Sequence, residues 1–357
     1  MAAEISKSMQ SPPSKLLIVR LSAIGDVVMT TGLLNPLKAA YPNCEISWLI
    51  DESIADLLSE NPSVHLIKWP KRHWQQLWRN RHWSRLFKEV KAFRRSLKDA
   101  KFDWVIDAQG LLKSAFLARF TSANRRIGFA GKEGNNYLMT EVLEREQGKQ
   151  IGSEYRGLLS YLGLDPQHYR MELPSAVETQ SHTAALRARL FAASNYICLA
   201  PFTTRAQKHW PHSYWLQLLA WLNQHNGWPC LILGGPGDRD LAEQLTRQQA
   251  NTYHLCGHTN LLQSSELIRT CRLLVGVDTG LTHMAVAHGV PLVALFGSTR
   301  PYLQTYQDNA RILYDNRSCS PCRRHPVCDG RFDCMHELTP HRVSVVIEEL
   351  LDESSAS

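Results

Sequence analysis

A long apolar run is missing from this chain of 357 residues, since none approaches the about 18 residues that span a membrane. We therefore expect that the chain does not cross a bilayer. The first residues, MAAEISKSMQSPPSK, also lack the apolar segment of a signal peptide. We expect residues 1–14 to form a flexible tail and the protein to stay in the cytoplasm.

Other absences narrow the class of protein. No nucleic-acid-binding motif accompanies the net charge of +7, so no nucleic-acid partner is expected. The loop after the first strand has only one of the three glycines of the dinucleotide fingerprint, which argues against a dehydrogenase. Asp51 does end the next strand, where a ribose-binding acid would lie, but it does not replace the missing glycines. The nine cysteines are an odd number, scattered except near the C-terminus, which favours reduced thiols.

Short apolar strands alternate with amphipathic helices, which indicates an α/β fold with doubly wound parallel sheets. The strand pattern is found at 15–20, 46–50, 64–69, 102–106, 126–129, 196–201, 229–235, 252–257, 273–277 and 292–296. The helix pattern is found at 27–40, after residues 107–114 and through Phe120, at 213–226, from Asp238, around Leu267, at 281–288 and at 343–351.

The alternation is interrupted between about Gly163 and Ala193, and the length suggests two domains. We predict an N-terminal domain at 15–175, a C-terminal domain at 190–318, and a Cys-rich tail with a final helix at 319–357 that could pack on either domain. Two Rossmann-like domains would form an interdomain cleft at the carboxyl ends of their strands.

The clearest unit is a strand, turn, helix and strand between Leu273 and Phe296. In its turn, Asp278 can cap the helix, while Thr279 and Gly280 place N–H groups and a hydroxyl at a positive helix end. Such an end is suited to binding phosphate, although a capped helix with no ligand has the same pattern.

Two further loops of the C-terminal half offer polar groups at strand ends. The loop after the strand at 196–201 carries two hydroxyls and two cations: Thr203, Thr204, Arg205 and Lys208. This set suits a diphosphate, although a charged surface loop has the same composition. Asp238 follows the next strand and could accept ribose hydroxyls. We interpret Asp238 and Asp240 as charges at a helix start, not as a metal site.

Two loops of the N-terminal half also end strands. The first contains Ser22, Gly25 and Asp26, and Asp26 is either a helix N-cap or a general base. The second contains Asp107 and Gln109, followed by Lys113. This loop could bind a hydroxyl-rich substrate, with Lys113 meeting a carboxylate or a phosphate.

The segment Lys71–Lys101 is strongly basic, with eleven Lys or Arg against Glu89 and Asp99. Tryptophans and apolar residues recur in it at helical spacing, which predicts an amphipathic helix or a helical hairpin. A solvated helix face is one interpretation; a surface that meets anionic lipid headgroups or a phosphorylated substrate is the other.

Taken together, five of these segments resemble glycosyltransferase family 9, the ADP-heptose:lipopolysaccharide heptosyltransferases. The similarity runs from Lys15 to Pro301 in the order of the family; the segments are LSAIGDVVMTTG, VIDAQGLLKS, TTRAQKHWP, GGPGDRDLAEQL and VDTGLTHMAVAHGVPLVALFGSTRP. The resemblance implies a GT-B fold and a metal-independent, inverting transfer from an ADP-sugar, with no cofactor. The TTRAQKHWP segment is most similar to heptosyltransferase I, which adds the first heptose to Kdo-lipid A.

The resemblance also implies roles for single residues. Asp26 corresponds to the catalytic base, Lys208 to the lysine that contacts the donor diphosphate, and Asp238 to a ribose contact. The donor-binding turn corresponds to Asp278, Thr279, Gly280, Leu281 and His283. The acceptor side belongs to the N-terminal domain, where Ser22, Gly25, Asp107, Gln109 and Lys113 are the candidates.

The expected partners are therefore ADP-heptose, Kdo-lipid A or the lipopolysaccharide inner core, and an anionic membrane surface that meets Lys71–Lys101. The expected location is peripheral, on the inner face of the bacterial inner membrane. Alternatives are a heptosyltransferase of the II or III type, another core-sugar transferase of the family, or a non-catalytic relative that binds sugar or membrane.

Four cysteines near the C-terminus remain to be explained: Cys319, Cys322, Cys328 and Cys334. They could bind zinc, but their spacing lacks the second C-x2-C pair of common zinc sites. A disulfide and reduced structural thiols are the other interpretations, and we favour reduced thiols.

Overall fold

The structure is a computed structural model that describes residues 11–192, 195–299 and 302–356. Most of the tail predicted at 1–14 therefore lies outside the described residues. The strands are β1 (Lys15–Val19), β2 (Glu45–Asp51), β3 (His65–Trp69), β4 (Trp104–Asp107), β5 (Arg125–Phe129), β6 (Glu141–Leu143), β7 (Ile197–Ala200), β8 (Cys230–Ile232), β9 (Thr252–His254), β10 (Leu273–Val277), β11 (Leu292–Phe296) and β12 (Ala310–Tyr314).

The helices alternate with these strands along most of the chain. They are α1 (Ile24–Thr30), α2 (Leu34–Ala40), α3 (Lys71–Arg79), α4 (Trp83–Asp99), α5 (Leu112–Phe120), α6 (Ser153–Tyr161), α7 (Val177–Leu190), α8 (His212–His225), α9 (Arg239–Arg247), α10 (Leu261–Arg269), α11 (Gly280–His288), α12 (Asp333–His336) and α13 (Pro340–Ala356). None of the described helices combines the length and the apolar character that crossing a bilayer requires.

The strands form two six-stranded sheets with related topologies. The first has the order β3-β2-β1-β4-β5-β6, and the second has the order β12-β11-β10-β7-β8-β9. All pairs are parallel, and the central strands β1 and β10 are buried on both faces, as their continuous apolar sequences require. In each sheet the strand order reverses once, between β1 and β4 and between β7 and β10, and ligands of open α/β sheets bind at such points.

Contacts between residues divide the chain into two compact units, one for each sheet. The first unit comprises the residues up to Leu21, Leu34–Glu52 and Pro62–Arg145. The second comprises Ser22–Leu33, Ser53–Asn61 and the residues from Glu146 onward. These units are defined by contacts and include segments that are discontinuous in sequence. The domain limits at 175 and 190 stay a prediction.

The segment Ser22–Leu33 belongs to the second unit because it packs on residues far along the chain. The ring of Tyr169 is fully buried and lies where a Cβ on Gly32 would come within 2.3 Å of it. The Tyr169 hydroxyl donates to the carbonyl of Met29 at 2.5 Å, and the N–H of Glu172 donates to Oγ1 of Thr31 at 3.1 Å. These contacts hold α1 and the following turn in place.

One helix of the second unit was not predicted from the sequence, and the packing of another was left open. Helix α7 lies between Gly163 and Ala193, where the sequence pattern was interrupted. The pattern is weak there because the residues that α7 buries, Thr179 and Thr183, are polar. The Thr179 hydroxyl donates to Oε1 of Glu60 at 3.1 Å. The final helix, α13, packs on α8 and places Val343, Ile347 and Leu350 in the core of the second unit.

We predict that Gly32→Ala destabilises the protein by about 1–3 kcal/mol, because its Cβ would overlap the Tyr169 ring, which has no space to move into. The measurement is the thermal unfolding midpoint, which should fall by several degrees. Gly237→Ala is the matched control, because nothing lies within 4 Å of its added Cβ. Equal midpoints for the two variants would contradict the packing described here.

Candidate functional site

Two loops of the second unit meet at the carboxyl end of its sheet, where the strand order reverses. The loop after β7 carries Lys208, and the turn after β10 carries Asp278. Because β7 and β10 are neighbouring parallel strands, both loops leave the sheet at the same edge. The structure thus brings together two residues that are 70 positions apart in the sequence.

Lys208 and Asp278 form an ion pair in which Nζ lies 2.5 Å from Oδ2, and the two side chains are only 15% and 13% exposed. The hydroxyl of Thr299 donates to the same oxygen at 2.5 Å. Burial disfavours the charged form of Asp278, but His283 and Lys208 favour it more strongly and hold its pKa well below the usual range. Asp278 is therefore an anion at physiological pH.

His283 links this pair to a buried tyrosine. Its Nδ1 lies 3.1 Å from the hydroxyl of Tyr302, while its Nε2 lies 3.8 Å from Oδ1 of Asp278. The second distance is beyond hydrogen-bond range, so His283 acts on Asp278 through space. Burial and the charge of Asp278 raise the pKa of Tyr302 well above its usual value, so its hydroxyl stays protonated and can donate to Nδ1.

Helix α1 packs against α11, so that the first turn of α1, which contains Asp26, lies beside the turn with Asp278. A Cβ on Gly280 would come within 2.5 Å of Ile24, and a Cβ on Gly25 would come within 2.3 Å of the His283 ring. Glycine at both positions permits this close approach. The two segments consequently belong to one site within the second unit.

Asp278 does not cap α11 as expected, and the N-cap alternative for Asp26 is excluded. Ala23 is the N-cap of α1, and Asp26 is the third residue of the helix, where its Oδ2 accepts the N–H of Ala23 at 3.2 Å. Thr279 is the N-cap of α11, and the carboxylate of Asp278 contacts Lys208 and Thr299. Asp26 is half-buried in the described structure.

The loop after β7 supplies a second cation beside Lys208. A contact of 2.9 Å between Nε2 of His209 and the Thr203 carbonyl and a hydrogen bond of 2.7 Å from Gln207 to the Arg323 carbonyl fix its backbone. Arg205 forms no ion pair within 4.0 Å with any residue that the structure describes. Its charge is therefore available to an anionic ligand. Thr204 is exposed in the same loop.

The remaining donor-side candidates lie at helix starts. Asp238 ends a turn at Pro236–Asp238, and its Oδ2 accepts the N–H of Gly235 at 2.8 Å. This agrees with the interpretation of Asp238 as a helix-start charge. Leu281 is half-buried in the first turn of α11.

Three acceptor-side candidates lie in the first unit. Asp107 is fully buried, and its carboxylate accepts hydrogen bonds from the backbone N–H groups of Gln109 and Gly110 and from Ser114. Burial raises its pKa to about 6. Oε1 of Gln109 accepts the N–H of Leu21 at 2.8 Å. Asp107 therefore fixes its own loop, and Gln109 joins this loop to the residue that follows the buried end of β1.

Lys113 is the third of these candidates. Partial burial and the charge of Lys71 lower its pKa. Lys71 itself lies 3.5 Å from Asp51, in the same unit. The other two acceptor-side candidates, Ser22 and Gly25, belong to the second unit with Asp26, and Ser22 is half-buried.

Sequence reasoning did not identify three residues that the structure places at these loops. Thr299 and Tyr302 follow β11, which pairs with β10, so their position after a neighbouring strand was a usable signal. Arg145 donates to the Gln109 carbonyl at 2.7 Å and lies over the Phe129 ring. No pattern in the sequence marks Arg145.

The four C-terminal cysteines carry free thiols. Three of them are half-buried, and Cys334 is buried. Burial and the neighbouring thiols raise the pKa of Cys334 to about 11, so this thiol is protonated at pH 7. Within residues 11–192, 195–299 and 302–356, no group of three or more His, Cys, Asp or Glu is placed to hold a metal ion.

Comparison with known proteins agrees with this architecture. Residues 90–330 match glycosyltransferase family 9 (heptosyltransferase). The chain is 29% identical to lipopolysaccharide heptosyltransferase 1 of Pseudomonas aeruginosa, over 94% of this chain and 98% of the relative. It is 26% identical to lipopolysaccharide heptosyltransferase 2 of Salmonella typhimurium, over 95% of this chain and 99% of the relative.

A solved structure extends the comparison to the fold. Escherichia coli heptosyltransferase WaaC with ADP-2-deoxy-2-fluoro heptose has a TM-score of 0.70 and 25% identity, covering 94% of this chain and 99% of that chain. The predicted α/β fold with two parallel sheets is confirmed. The protein is thus an enzyme of the glycosyltransferase class. It belongs to glycosyltransferase family 9, whose match covers more than half of its 357 residues.

Proposed function

We propose that the protein transfers heptose from ADP-heptose to the Kdo of the lipopolysaccharide inner core, with Kdo-lipid A as the acceptor. The observation that carries the proposal is the Lys208–Asp278 pair at the strand-order reversal of the second sheet. Support for the donor comes from the solved relative with an ADP-heptose analogue. Support for the acceptor comes from the lipopolysaccharide heptosyltransferase 1 relative and from the TTRAQKHWP segment.

The departing ADP requires positive charge at its diphosphate. In the proposed site, Lys208, Arg205 and the N-terminal N–H groups of α11 supply it, with Thr203 and Thr204 as further donors. Asp278, Thr279, Gly280, Leu281 and His283 form the proposed donor-binding turn, and Asp238 contacts the ribose. The family resemblance implies that this transfer uses neither a metal nor a cofactor.

The attacking hydroxyl requires a base, and we assign this role to Asp26. Its carboxylate takes the proton of the acceptor hydroxyl while that oxygen bonds to the anomeric carbon of the heptose. The bond between this carbon and the diphosphate oxygen breaks, and ADP leaves with the electron pair on the opposite face, which inverts the configuration. The packing of α1 on α11 supports the assignment, because it places the first turn of α1, with Asp26, beside the proposed donor turn.

The acceptor is proposed to meet Ser22, Gly25, Asp107, Gln109 and Lys113. Lys113 and Lys71 are the charges suited to Kdo carboxylates or lipid A phosphates. Because lipid A is itself a membrane lipid, we place the enzyme at the cytoplasmic face of the bacterial inner membrane as a peripheral protein. A specific observation favours one alternative, a type II enzyme: the heptosyltransferase 2 relative covers the chain as fully as the heptosyltransferase 1 relative does.

The variant Asp26→Asn should lower kcat by about 100-fold or more, because a positioned base contributes 10²–10⁴-fold. Its affinity for ADP should stay close to that of the wild type, since Asp26 acts on the acceptor hydroxyl. Single-turnover transfer and calorimetric titration with ADP measure the two effects. Asp240→Asn, an exposed acid in the same unit, is the control that should leave both unchanged. Undiminished turnover of Asp26→Asn in a folded protein would remove the base assignment.

The acceptor is tested by offering ADP-heptose with Kdo-lipid A that carries no heptose, one heptose or two. We expect transfer to the acceptor with none, read by mass spectrometry of the product. Transfer only to an acceptor that already carries one heptose would reassign the protein to the type II reaction. A protein that binds ADP-heptose but neither transfers nor hydrolyses it would be a non-catalytic relative.

A further inference from the structure

Helices α3 and α4 of the first unit form a helical hairpin, which we call the α3–α4 hairpin (residues 71–99). Its turn, Asn80–His82, contains Arg81 with a positive φ of 57°. The hairpin confirms the structure predicted for the basic segment. Its apolar residues fall into two groups with different surroundings.

The first group faces the protein. Leu77 and Leu97 are buried, and the rings of Trp74 and Phe93 contact edge to face at 5.4 Å between centroids. Phe93 and Leu97 join the core of the first unit. These residues attach the hairpin to the first unit.

The second group faces solvent near the turn. The exposed fractions are 61% for Trp78, 46% for Trp83 and 72% for Phe87. The two indoles contact each other, with ring centroids 4.2 Å apart, and Phe87 follows Trp83 by one helical turn. These three large aromatic side chains lie outside the core cluster of the first unit, and exposed apolar patches mark interaction surfaces.

Cations continue the same face of α4. Lys91, Arg94 and Lys98 follow Trp83 and Phe87 at helical spacing and are all exposed. Glu89, one of the two acids between residues 71 and 101, is engaged by His73 at 2.9 Å and by Arg85 at 3.0 Å.

The charge is concentrated in this segment. Eleven Lys or Arg against two Asp or Glu give Lys71–Lys101 a charge of +9, whereas the whole chain carries +7, so the other residues together carry −2. The partner of the hairpin must therefore be anionic, and it must also accept aromatic side chains. A bilayer with anionic headgroups meets both requirements, because indoles favour the interface and cations attract the surface.

We propose that the α3–α4 hairpin docks on an anionic lipid bilayer, with Trp78, Trp83 and Phe87 entering the headgroup region and Lys91, Arg94 and Lys98 meeting lipid phosphates. The inference rests on the proposed function at one point: an acceptor that is a lipid requires the enzyme to work at a membrane. It adds to the proposed function the surface and the residues that bring the enzyme to that acceptor.

The test measures binding of the full-length protein to phosphatidylcholine vesicles with and without phosphatidylglycerol. We expect binding only to the anionic vesicles, and weaker binding as salt rises from about 0.05 to about 0.5 M. The triple variant Trp78→Ser, Trp83→Ser, Phe87→Ser should bind about tenfold or more weakly, because its apolar insertion is lost. Acyl-brominated lipid should quench the wild-type fluorescence more than that of the variant.

The matched control is Tyr137→Ser, which removes an aromatic residue that is 93% exposed in the same unit but outside the hairpin. It should bind vesicles as the wild type does. Far-ultraviolet circular dichroism and the unfolding midpoint of the triple variant check that it folds. Equal vesicle binding by the folded triple variant and the wild type would overturn the proposal, and so would tight binding to a homopolymeric RNA with none to vesicles.

Transfer to a deacylated, water-soluble acceptor separates this inference from the proposed function. If docking is the role of the hairpin, the triple variant keeps the wild-type rate on the soluble acceptor and loses rate on acceptor embedded in vesicles. If the triple variant matches the wild-type rate on both acceptors, docking is contradicted and heptose transfer is not. Vesicle binding without transfer to any acceptor would support docking and contradict the proposed reaction.

Discussion

The ion pair between Lys208 and Asp278 is the interaction on which the site of the second unit depends. Each partner alone would be a nearly buried charge, and removing one partner of such a pair typically costs about 3–5 kcal/mol. The pair forms only because β7 and β10 are neighbouring parallel strands, so the sheet topology determines the position of the lysine. Thr299 and His283 complete the surroundings of the carboxylate and favour its charged form.

The second constraint is the close packing of α1 on α11. Glycine at 25 and 280 lets the two helix starts approach, and Tyr169 anchors the segment behind them. As a result, a segment that follows the first strand in sequence becomes part of the unit that holds the proposed donor site. In our account, the proposed base and the proposed cation are therefore positioned by one body of the protein.

Much of the fold could be predicted from the sequence, because the central strands are continuous apolar runs. Strands β10 and β11 have the predicted limits, 273–277 and 292–296. Strands β6 and β12 were missed because they lie at sheet edges and are mostly half-buried, which weakens their apolar pattern. The site was predictable in its loops but not in its pairings, since the contact between Lys208 and Asp278 exists only in space. Thr299 and Tyr302 were missed although their position after β11 was a usable signal.

In the proposed site, Asp278 positions Lys208 for the donor diphosphate, and a double-mutant cycle on ADP affinity measures this coupling. The wild type, Lys208→Met, Asp278→Asn and the double variant are titrated with ADP by calorimetry. Asp278→Asn removes a negative charge, which by itself would favour an anionic ligand. If Asp278 positions Lys208, Asp278→Asn nevertheless weakens ADP binding, and it causes no further loss when Lys208 is already replaced. Tighter ADP binding by Asp278→Asn, or additive losses in the double variant, would show that Asp278 does not position the lysine.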